Sequence, residues 1–463
     1  MINLCAVALA LIFAAATASG ANAESWQRIT TADGSSTDQV GLARTADGTL
    51  HVAWHHPTGP NTEDLLHTVI SRAGKVGATN PIQSGWTGFT NPALVVVPGG
   101  LRAFWGGFRT TDSSDPQKET NTALSADGGA SWALHPGSVV PSGAQSYASD
   151  TAATVLPNGS TLQSFAGTSG TWVHSGLSPT TANYDFQAPL GQYGFDPNLA
   201  TDAAGRTVLA WYSNAVGHLG VKAQDVAADG SPIGSASTMP ETNDEEVRLL
   251  ARTPLAARTG GGFYVAYPDS DLVRLWRVGT TDAPLIGRTR DSSTPAVAVA
   301  AAGDGRLWVV WTEGFGDPDV LARRSNAGAT KFGAIVNAGH PEEAEEAYKV
   351  DASAAGGALD VLGHFNIDNS ADAATSYGRM LPGLTLRASP RSLRAGKKTA
   401  VDFTVSDAGD AVAGAKVKAA GGSGKTDGRG RVTLEIKSGT TVKASAARSG
   451  YTRATKSLRV RSR

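Results

Sequence analysis

One hydrophobic pattern recurs along most of the chain: a short apolar strand, a turn that contains glycine, and a second strand that ends in an aromatic residue. The first copies run from Val40 to Trp54 and from Ala93 to Trp105. Short apolar runs separated by glycine turns are typical of antiparallel hairpins, because glycine adopts the positive φ that tight turns need. This pattern predicts seven hairpins, with turn glycines at Gly48, Gly100, Gly159, Gly205, Gly262, Gly305 and Gly357.

The spacing of these glycines indicates a repeated unit. Successive turns are 43 to 59 residues apart, and strand-like segments such as Leu65–Ser71 and Val320–Arg324 lie between the hairpins. A four-stranded unit has this length. One such sheet cannot bury its apolar faces alone, whereas a closed ring of sheets can. The predicted fold class is therefore all-β, a seven-bladed β-propeller, with six blades, an open stack of hairpins or a two-sheet sandwich as alternatives.

Closure of the ring requires its first and last sheets to be joined. The segment Trp26–Thr30 precedes the first hairpin and reads as a strand. We expect it to complete the last blade, beside the strands of residues 359–380.

The N-terminal segment predicts export. Leu4–Ala16 is an unbroken apolar run, and Ala21-Asn22-Ala23 is a cleavage pattern of small residues, so residues 1–23 are predicted to be a signal peptide. The run is shorter than the roughly 20 residues that span a bilayer, so no transmembrane segment is expected after cleavage. The single cysteine, Cys5, lies inside this segment. The predicted location is extracellular or at the cell surface, with no disulfide bonds in the mature protein.

Charge divides the remaining chain into two predicted domains, here called the body (residues 24–382) and the tail (residues 384–463). The whole chain has 40 Lys and Arg against 41 Asp and Glu, but the tail has 18 against 5, which leaves 22 basic and 36 acidic residues elsewhere. These numbers predict a basic tail on an acidic body. The acidic segment Glu342–Glu346 of the body is expected to be a solvated loop or a single helical turn.

Four residues of the body, Ser125, Asp127, Gly129 and Trp132, lie in the segment SADGGASW. The segment resembles the Asp box, or BNR repeat, of sialidase-like β-propellers, Ser-x-Asp-x-Gly-x-x-Trp. In that family the box closes the hairpin between the two outer strands of a blade. The resemblance therefore implies a fold rather than an activity.

Sialidases of this family hold the carboxylate of their substrate with three arginines, the first of which usually opens an Arg-Ile-Pro strand. The comparable positions of this chain read Asn91-Pro92, Asp196-Pro197 and Thr294-Pro295. Asn and Asp cannot replace a bidentate guanidinium group. The resemblance therefore does not extend to sialic-acid hydrolysis.

The tail has a recognisable order of strands and turns. It contains Val412–Val417, the turn segment TDGRGRVTL of Thr426–Leu434, the strand Val442–Ala446 and a closing Gly450-Tyr451. This order resembles bacterial immunoglobulin-like and carboxypeptidase-regulatory-like domains. The resemblance implies a small β-sandwich.

Candidate site residues follow from the propeller geometry. Loops that lead into the innermost strands and loops that leave the second strands open at one face, so their side chains converge on one funnel, the expected ligand site. The positions before the innermost strands are Asp38, Asn91, Asp150, Asp196, Glu245 and Asp291, and those after the second strands are His55, His56, Arg109, Tyr212, Asn214, Asp269, Glu313 and His364.

Three chemical interpretations of this funnel remain open. Paired carboxylates can hydrolyse a glycosidic bond by acid-base catalysis, with Asp196, Asp269 and Glu313 as candidate catalytic residues. No cofactor is predicted, but carboxylates and histidines can also hold a divalent cation that orients a sugar. Polar side chains at strand ends can equally stabilise turns and have no catalytic role.

The missing arginine clamp favours a secreted recognition protein that binds a glycan or another surface ligand through the funnel without catalysis. The alternative is a glycoside hydrolase or lyase of the sialidase-like superfold, so whether the protein is an enzyme is left open. The tail would be a spacer or a tether, because clustered Lys and Arg attract anionic cell-envelope polymers. Its basic face could equally pack against the acidic body. No aromatic-basic pattern indicates specific nucleic-acid binding.

Overall fold

The computed structural model describes residues 24–30, 39–109, 119–139, 149–167, 170–242, 251–290, 294–313, 318–367, 372–437 and 441–461. Across these residues there are 38 β-strands and one 3-10 helix, Ala188–Leu190. The prediction of an all-β protein is confirmed. The signal peptide predicted for residues 1–23 lies outside the described residues.

The described strands of the body form seven sheets, numbered I to VII in chain order. Sheet II has five strands and each of the others has four, and the first strand of the chain belongs to sheet VII. The strands are β1 Glu24–Arg28; in sheet I, β2 Gly41–Arg44, β3 Leu50–Gly59, β4 Thr62–Ile70 and β5 Asn80–Trp86; in sheet II, β6 Gly88–Phe89, β7 Ala93–Val97, β8 Gly100–Phe108, β9 Glu119–Ser125 and β10 Ala133–Leu134; in sheet III, β11 Ser149–Val155, β12 Thr161–Ala166, β13 Thr171–Ser175 and β14 Asn183–Asp185; in sheet IV, β15 Gly194–Thr201, β16 Thr207–Ser213, β17 Gly220–Val226 and β18 Pro232–Thr238; in sheet V, β19 Leu255–Ala257, β20 Phe263–Asp269, β21 Leu272–Arg277 and β22 Leu285–Arg288; in sheet VI, β23 Val297–Ala301, β24 Leu307–Thr312, β25 Val320–Arg324 and β26 Val336–Asn337; and in sheet VII, β27 Ala344–Ala355, β28 Ala358–Ile367 and β29 Ala373–Met380.

The seven hairpins predicted from the glycine pattern are confirmed. In every sheet the innermost strand pairs antiparallel with the strand that follows it. All seven turn glycines have positive φ, from 81° at Gly305 to 146° at Gly100. A Cβ atom at Gly100 would lie 2.0 Å from the carbonyl oxygen of Ser125, so the turn has no room for a side chain.

The sheets are neighbours around a circle. The innermost strands β2, β7, β11, β15, β19, β23 and β27 contact one another in that order, and β2 contacts β27. Strand β1 pairs antiparallel with β29 and so completes sheet VII with a strand from the opposite end of the body. The predicted closure by the segment Trp26–Thr30 is confirmed, although the strand covers Glu24–Arg28, and the arrangement is consistent with a β-propeller.

Apolar side chains fill the space between neighbouring sheets all the way around this circle. Where the circle closes, Val52 and Trp54 of sheet I pack against Leu362 and Tyr377 of sheet VII. Burial of a large apolar side chain stabilises a fold by about 1.5 to 3 kcal/mol. The largest fully buried side chains of the body include Trp105, Trp211, Trp276, Trp308 and Trp311.

One expectation about the body is wrong. The acidic segment Glu342–Glu346 is not a loop or helical turn throughout, because its residues from Ala344 onward belong to β27. The pairing of β27 with β28 extends as far as Ile367. Backbone hydrogen bonds to a neighbouring strand outweigh the low β-propensity of glutamate here.

The described part of the tail forms two sheets around one apolar core. In sheet VIII, β32 lies between β30 and β33 and also pairs with β36, whereas sheet IX has the order β31-β38-β37-β34-β35. Val401, Phe403 and Val405 alternate with more exposed residues along β32, as expected of a strand with one buried face. The strands are β30 Thr385–Ser389, β31 Ser392–Arg394, β32 Lys398–Asp407, β33 Asp410–Ala411, β34 Lys416–Ala419, β35 Gly422–Lys425, β36 Arg431–Lys437, β37 Val442–Ala447 and β38 Ala454–Arg461.

Candidate functional site

The candidate site lies at the end of the ring where the innermost strands begin and the second strands end, here called the mouth. Of the residues predicted there, Asp38, Glu245 and Asp291 lie outside the described residues. The structure describes the environment of the others.

A cavity of about 250 Å³ lies inside the ring. Its wall contains a residue from each of the seven innermost strands, and most of these residues are small or apolar. One residue from each strand, in chain order, is Leu42, Ala93, Ala152, Asn198, Leu255, Val297 and Asp351. Polar chemistry in this cavity therefore depends on a few side chains.

Arg252 crosses the ring and bonds to three other segments of the chain. Its Nη1 donates hydrogen bonds to the carbonyl oxygens of Pro92 (2.7 Å) and Thr151 (3.0 Å), and its Nη2 donates to that of Val40. Only 8% of the residue is exposed. The guanidinium group is therefore occupied by backbone carbonyls at the starts of sheets I, II and III.

Gln39 and Asp351 complete a polar cluster with Arg252, which we call the plug. The Gln39 side chain accepts a hydrogen bond from the Arg252 backbone N–H (2.6 Å) and donates one to Asp351 Oδ1 (2.8 Å). Burial raises the pKa of Asp351, and the positive charge of Arg252 opposes that rise. Burial lowers the pKa of Arg252, and Asp351 and Asp150 oppose that fall.

Two predicted acids have unusual backbone geometry. Asp150 and Asp196 occupy equivalent positions in sheets III and IV, and their φ angles are 52° and 55°. At both places the pairing of the innermost strand with its neighbour shifts register. A left-handed backbone costs a non-glycine residue about 1 to 3 kcal/mol and is concentrated at functional sites.

The structure brings some of the predicted residues together. Asn91 Nδ2 donates a hydrogen bond to Asp150 Oδ1 (2.9 Å). Asp196 has no exposed surface, and its carbonyl oxygen accepts a hydrogen bond from the backbone N–H of Thr253 (2.7 Å). The contact of Asn91 with Asp150 connects the start of sheet II with sheet III. The contact of Asp196 with Thr253 connects the start of sheet IV with that of sheet V.

Tyr193, an aromatic residue that was not predicted from the sequence, directly precedes β15, the strand that contains Asp196. Tyr193 has a φ of 75° and is 50% exposed. Its ring stacks on Phe195, with centroids 6.5 Å apart and an interplanar angle of 11°. The predicted residue Asn214 supports it, because its backbone N–H donates to the Tyr193 carbonyl oxygen (2.9 Å).

Two of the three predicted histidines, His55 and His364, are buried beside potential partners, whereas His56 is partly exposed. His55 is 6% exposed, and its Nδ1 lies 3.2 Å from Glu63 Oε2. His364 is also 6% exposed, and its ring centroid lies 6.3 Å from that of Tyr348, a residue that is 47% exposed. Burial and a hydrogen bond with Glu346 raise the pKa of Tyr348. His364 and Tyr348 therefore form a pair that reaches from the interior to the surface.

Two of the candidate catalytic carboxylates are paired with arginine. Asp269 Oδ2 lies 2.6 Å from Arg274 Nε, and Glu313 Oε2 lies 2.7 Å from Arg290 Nε. Glu313 is buried, whereas the Arg290 side chain is 62% exposed. Arg290 therefore places a positive charge at the surface beside Glu313.

Of the remaining predicted residues, Arg109 lies at the surface and Tyr212 lies in the core. The Arg109 Nε lies 2.7 Å from Glu119 Oε2, and its guanidinium group lies 5.4 Å from the centroid of the Trp86 ring. Tyr212 is 1% exposed and stacks on Tyr267 at 6.3 Å, in the core between sheets IV and V.

Arg252, Asp351, Tyr193 and Tyr348 were not among the predicted site residues. A signal for Arg252 was present, since Arg252-Thr253-Pro254 has the Arg-x-Pro order and occurs directly before an innermost strand. The other three carry no comparable signal, because their positions depend on backbone angles and on the register of β27.

The segment SADGGASW forms a hydrogen-bonded turn between β9 and β10, the two outermost strands of sheet II. Ser125 Oγ donates to Asp127 Oδ1 (2.7 Å) and Ser131 Oγ donates to Asp127 Oδ2 (2.6 Å). Hydrogen bonds from Ser131 and Ser125 lower the pKa of Asp127 far below its usual range. Gly129 has a φ of 92°, and a Cβ there would lie 2.0 Å from the His67 ring. Trp132 packs on the same ring, edge to face at 5.3 Å.

The described parts of the chain contain no group of three or more His, Cys, Asp or Glu side chains arranged to hold a metal ion. In the same parts of the chain, no helix has the length and apolar character needed to cross a membrane.

Several solved structures are similar to this chain in their backbone arrangement. No family model and no curated protein sequence matches the chain. A protein of unknown function from Dyadobacter fermentans is 10% identical, with a TM-score of 0.46 over 77% of this chain and 98% of that one. The polysaccharide lyase Uly1 is 10% identical, with a TM-score of 0.45 over 74% and 90%. The hemagglutinin-neuraminidase ectodomain of parainfluenza virus 5 is 8% identical, with a TM-score of 0.43 over 77% of this chain and 84% of that one.

Proposed function

We propose that the body (residues 24–382) is a seven-bladed β-propeller domain and the tail (residues 384–463) an immunoglobulin-like β-sandwich domain. The contact between β2 and β27 and the cavity walled by all seven innermost strands support the first assignment. Two sheets around one core support the second. The turn in SADGGASW is proposed to be an Asp box. The apolar run and the Ala-Asn-Ala pattern support a signal peptide and secretion.

We propose that the mouth binds a glycan. The observation that carries this proposal is Tyr193, an aromatic residue with a left-handed backbone (φ 75°) that is 50% exposed directly before sheet IV begins. A tyrosine tolerates positive φ only when its surroundings enforce it, and such strain is concentrated at functional sites. An exposed aromatic ring suits a sugar, because a sugar ring has an apolar face that can stack on it and a rim of hydroxyl groups that polar neighbours can bind.

On that glycan we propose the action of a glycoside hydrolase or a lyase. Hydrolysis would use Asp269 and Glu313, one as acid and one as base or nucleophile, because Asp196 has no exposed surface. A lyase instead removes the proton next to a uronate carboxylate and expels the glycosidic oxygen. In the His364–Tyr348 pair, one side chain would accept the proton removed from carbon and the other would donate a proton to the departing oxygen, while Arg290, which is paired with Glu313, would neutralise the uronate carboxylate.

Recognition without catalysis is the second candidate. It is favoured by the ion pairs Asp269–Arg274 and Glu313–Arg290, which engage two of the three candidate carboxylates. In that case the mouth would hold a glycan through Tyr193 and the neighbouring polar groups and release it unchanged.

A panel of neutral and acidic polysaccharides tests the proposed function. Hydrolysis releases reducing ends alone, whereas elimination also gives unsaturated products that absorb ultraviolet light. With the glycan that responds, Tyr193→Ala should raise KM, or Kd if there is no turnover, about 10-fold, since loss of a stacked ring costs about 1.4 kcal/mol.

Ile233→Ala is the matched control, because Ile233 is 52% exposed on the outermost strand of the same sheet. This control variant should change KM, or Kd if there is no turnover, by no more than about 2-fold. If both variants behave alike, or if no glycan in the panel is bound or cleaved, the proposed function is wrong.

A further inference from the structure

The tail is attached to sheet VI by an ion cluster in which the body supplies the positive charges. Arg324 Nη1 lies 2.9 Å from Asp407 Oδ2, and Arg306 Nη2 lies 2.6 Å from Asp410 Oδ2. Asp304 of the body contacts both arginines, at 2.6 Å and 3.3 Å. Asp407 is 1% exposed. The expectation that the basic face of the tail packs against an acidic body is therefore wrong for this contact, whose polarity is the reverse.

In this contact the tail supplies acidic rather than basic side chains. Two of its 5 acidic residues, Asp407 and Asp410, are used in the contact with the body. All 17 Lys and Arg residues that the structure describes in the tail are exposed. The solvent-facing surface of the tail is therefore strongly positive, and such a surface attracts polyanions.

Part of this positive charge lines a groove on sheet VIII. The groove has a volume of about 1090 Å³ and is lined by Arg387, Arg391, Arg431 and Lys456. Across three neighbouring strands, Arg387 pairs with Thr404, and Thr404 pairs with Arg431. Directly paired residues project from the same face of a sheet. Two arginines therefore stand on one face roughly 10 Å apart, at two strand spacings.

The two acidic residues of the groove, Asp427 and Asp402, accept hydrogen bonds from neighbouring groups. Asp427 Oδ1 accepts hydrogen bonds from the backbone N–H groups of Arg429 and Arg431, at 2.9 Å and 2.8 Å. Asp402 Oδ1 accepts one from Thr433 Oγ1 (2.6 Å). The groove thus combines four cationic side chains, two hydrogen-bonded carboxylates and hydroxyl groups, a net positive lining suited to both the charges and the hydroxyls of an acidic sugar polymer.

We infer that this groove binds an anionic polysaccharide of the class on which the mouth acts. The choice of a polysaccharide rests on the proposed glycan site of the body. Single-stranded nucleic acids are usually bound by stacking on aromatic side chains, and none of the residues that line this groove is aromatic. Among the described residues, all large exposed hydrophobic side chains lie in the body, so the tail offers no apolar anchor for a lipid surface.

Binding of the full chain to two acidic polymers, polygalacturonate and dextran sulfate, tests this inference, with neutral dextran as the uncharged reference. Arg387→Gln/Arg431→Gln should weaken binding of at least one acidic polymer by 10-fold or more. The control Arg448→Gln/Arg453→Gln removes the same charge from exposed residues of the tail that do not line the groove. It should weaken binding less than 3-fold, and both double variants should keep the melting temperature of the wild type.

Short oligosaccharides separate this inference from the proposed function. The groove variant should keep wild-type binding or turnover of an oligosaccharide too short to reach the tail, whereas Tyr193→Ala should lose it. Equal weakening by the two double variants would overturn the groove site, as would tighter binding to duplex DNA or to phosphatidylglycerol vesicles. If the groove variant weakens polymer binding as expected but Tyr193→Ala has no effect, the proposed site at the mouth is wrong and the groove site stands.

Discussion

Replacing Arg252 with methionine should lower the free energy of unfolding by about 3 to 5 kcal/mol, because each buried carbonyl oxygen left without its donor costs about 1 to 3 kcal/mol. The change removes the donors to the carbonyl oxygens of Pro92, Thr151 and Val40, which lie at the starts of three different innermost strands. It also removes the positive charge that opposes the burial-driven rise in the pKa of Asp351. Urea denaturation followed by tryptophan fluorescence measures the loss.

Two further variants show whether the effect comes from the plug. Arg288→Met removes an arginine whose side chain is 62% exposed and paired with Asp271, so it should cost less than about 1 kcal/mol. Arg252→Met combined with Asp351→Asn should recover about 1 to 2 kcal/mol, because the uncompensated carboxylate is then removed as well. Equal costs for Arg252→Met and Arg288→Met would show that the plug does not hold the ring together.

Lowering the pH from about 6.5 to about 4 should destabilise the protein through His67 by on the order of 2 to 3 kcal/mol. His67 is 1% exposed, and its Nε2 lies 3.0 Å from His51 Nδ1. Burial and the neighbouring His51 lower the pKa of His67 from 6.5 to about 4. As the pH falls through this range, the unfolded chain takes up a proton before the folded protein does. Stability is therefore complete above pH 6.5, declines towards pH 4 and changes no further below it on account of this residue.

The variant His67→Gln should flatten this part of the profile of unfolding free energy against pH. His218→Gln serves as its control, because His218 is exposed to solvent and should leave the profile unchanged. A profile that is equally steep in the wild type and in His67→Gln would contradict the assignment.

The hairpins could be predicted because their determinants are local. A glycine is needed wherever a tight turn takes a positive φ, so Gly48, Gly159 and Gly305 mark three of the turns by residue type alone. The pairing of β1 with sheet VII was also predictable, since an unpaired strand at one end of a ring needs a partner at the other.

The site could be predicted only in outline. The hydrogen bonds of Arg252 depend on three sheets meeting inside one ring, and an arginine before a strand does not reveal them. Tyr193, Asp150 and Asp196 have left-handed backbones although none is glycine, so residue type gives no warning. The net charges of the body and the tail suggested the wrong polarity for the contact between them. Net charge does not show which few residues of each domain meet. Asp407 and Asp410 are acidic residues of a basic domain.

Covalent footprinting of the protein with and without a saturating glycan tests most directly whether the mouth is the ligand site. Hydroxyl radicals label exposed side chains, and mass spectrometry then measures the labelling of each residue. We expect the glycan to protect Tyr193 and Tyr348, which are 50% and 47% exposed, and to leave Leu134 and Ile233 labelled as before. Unchanged labelling of both tyrosines, with protection elsewhere on the chain, would contradict the account.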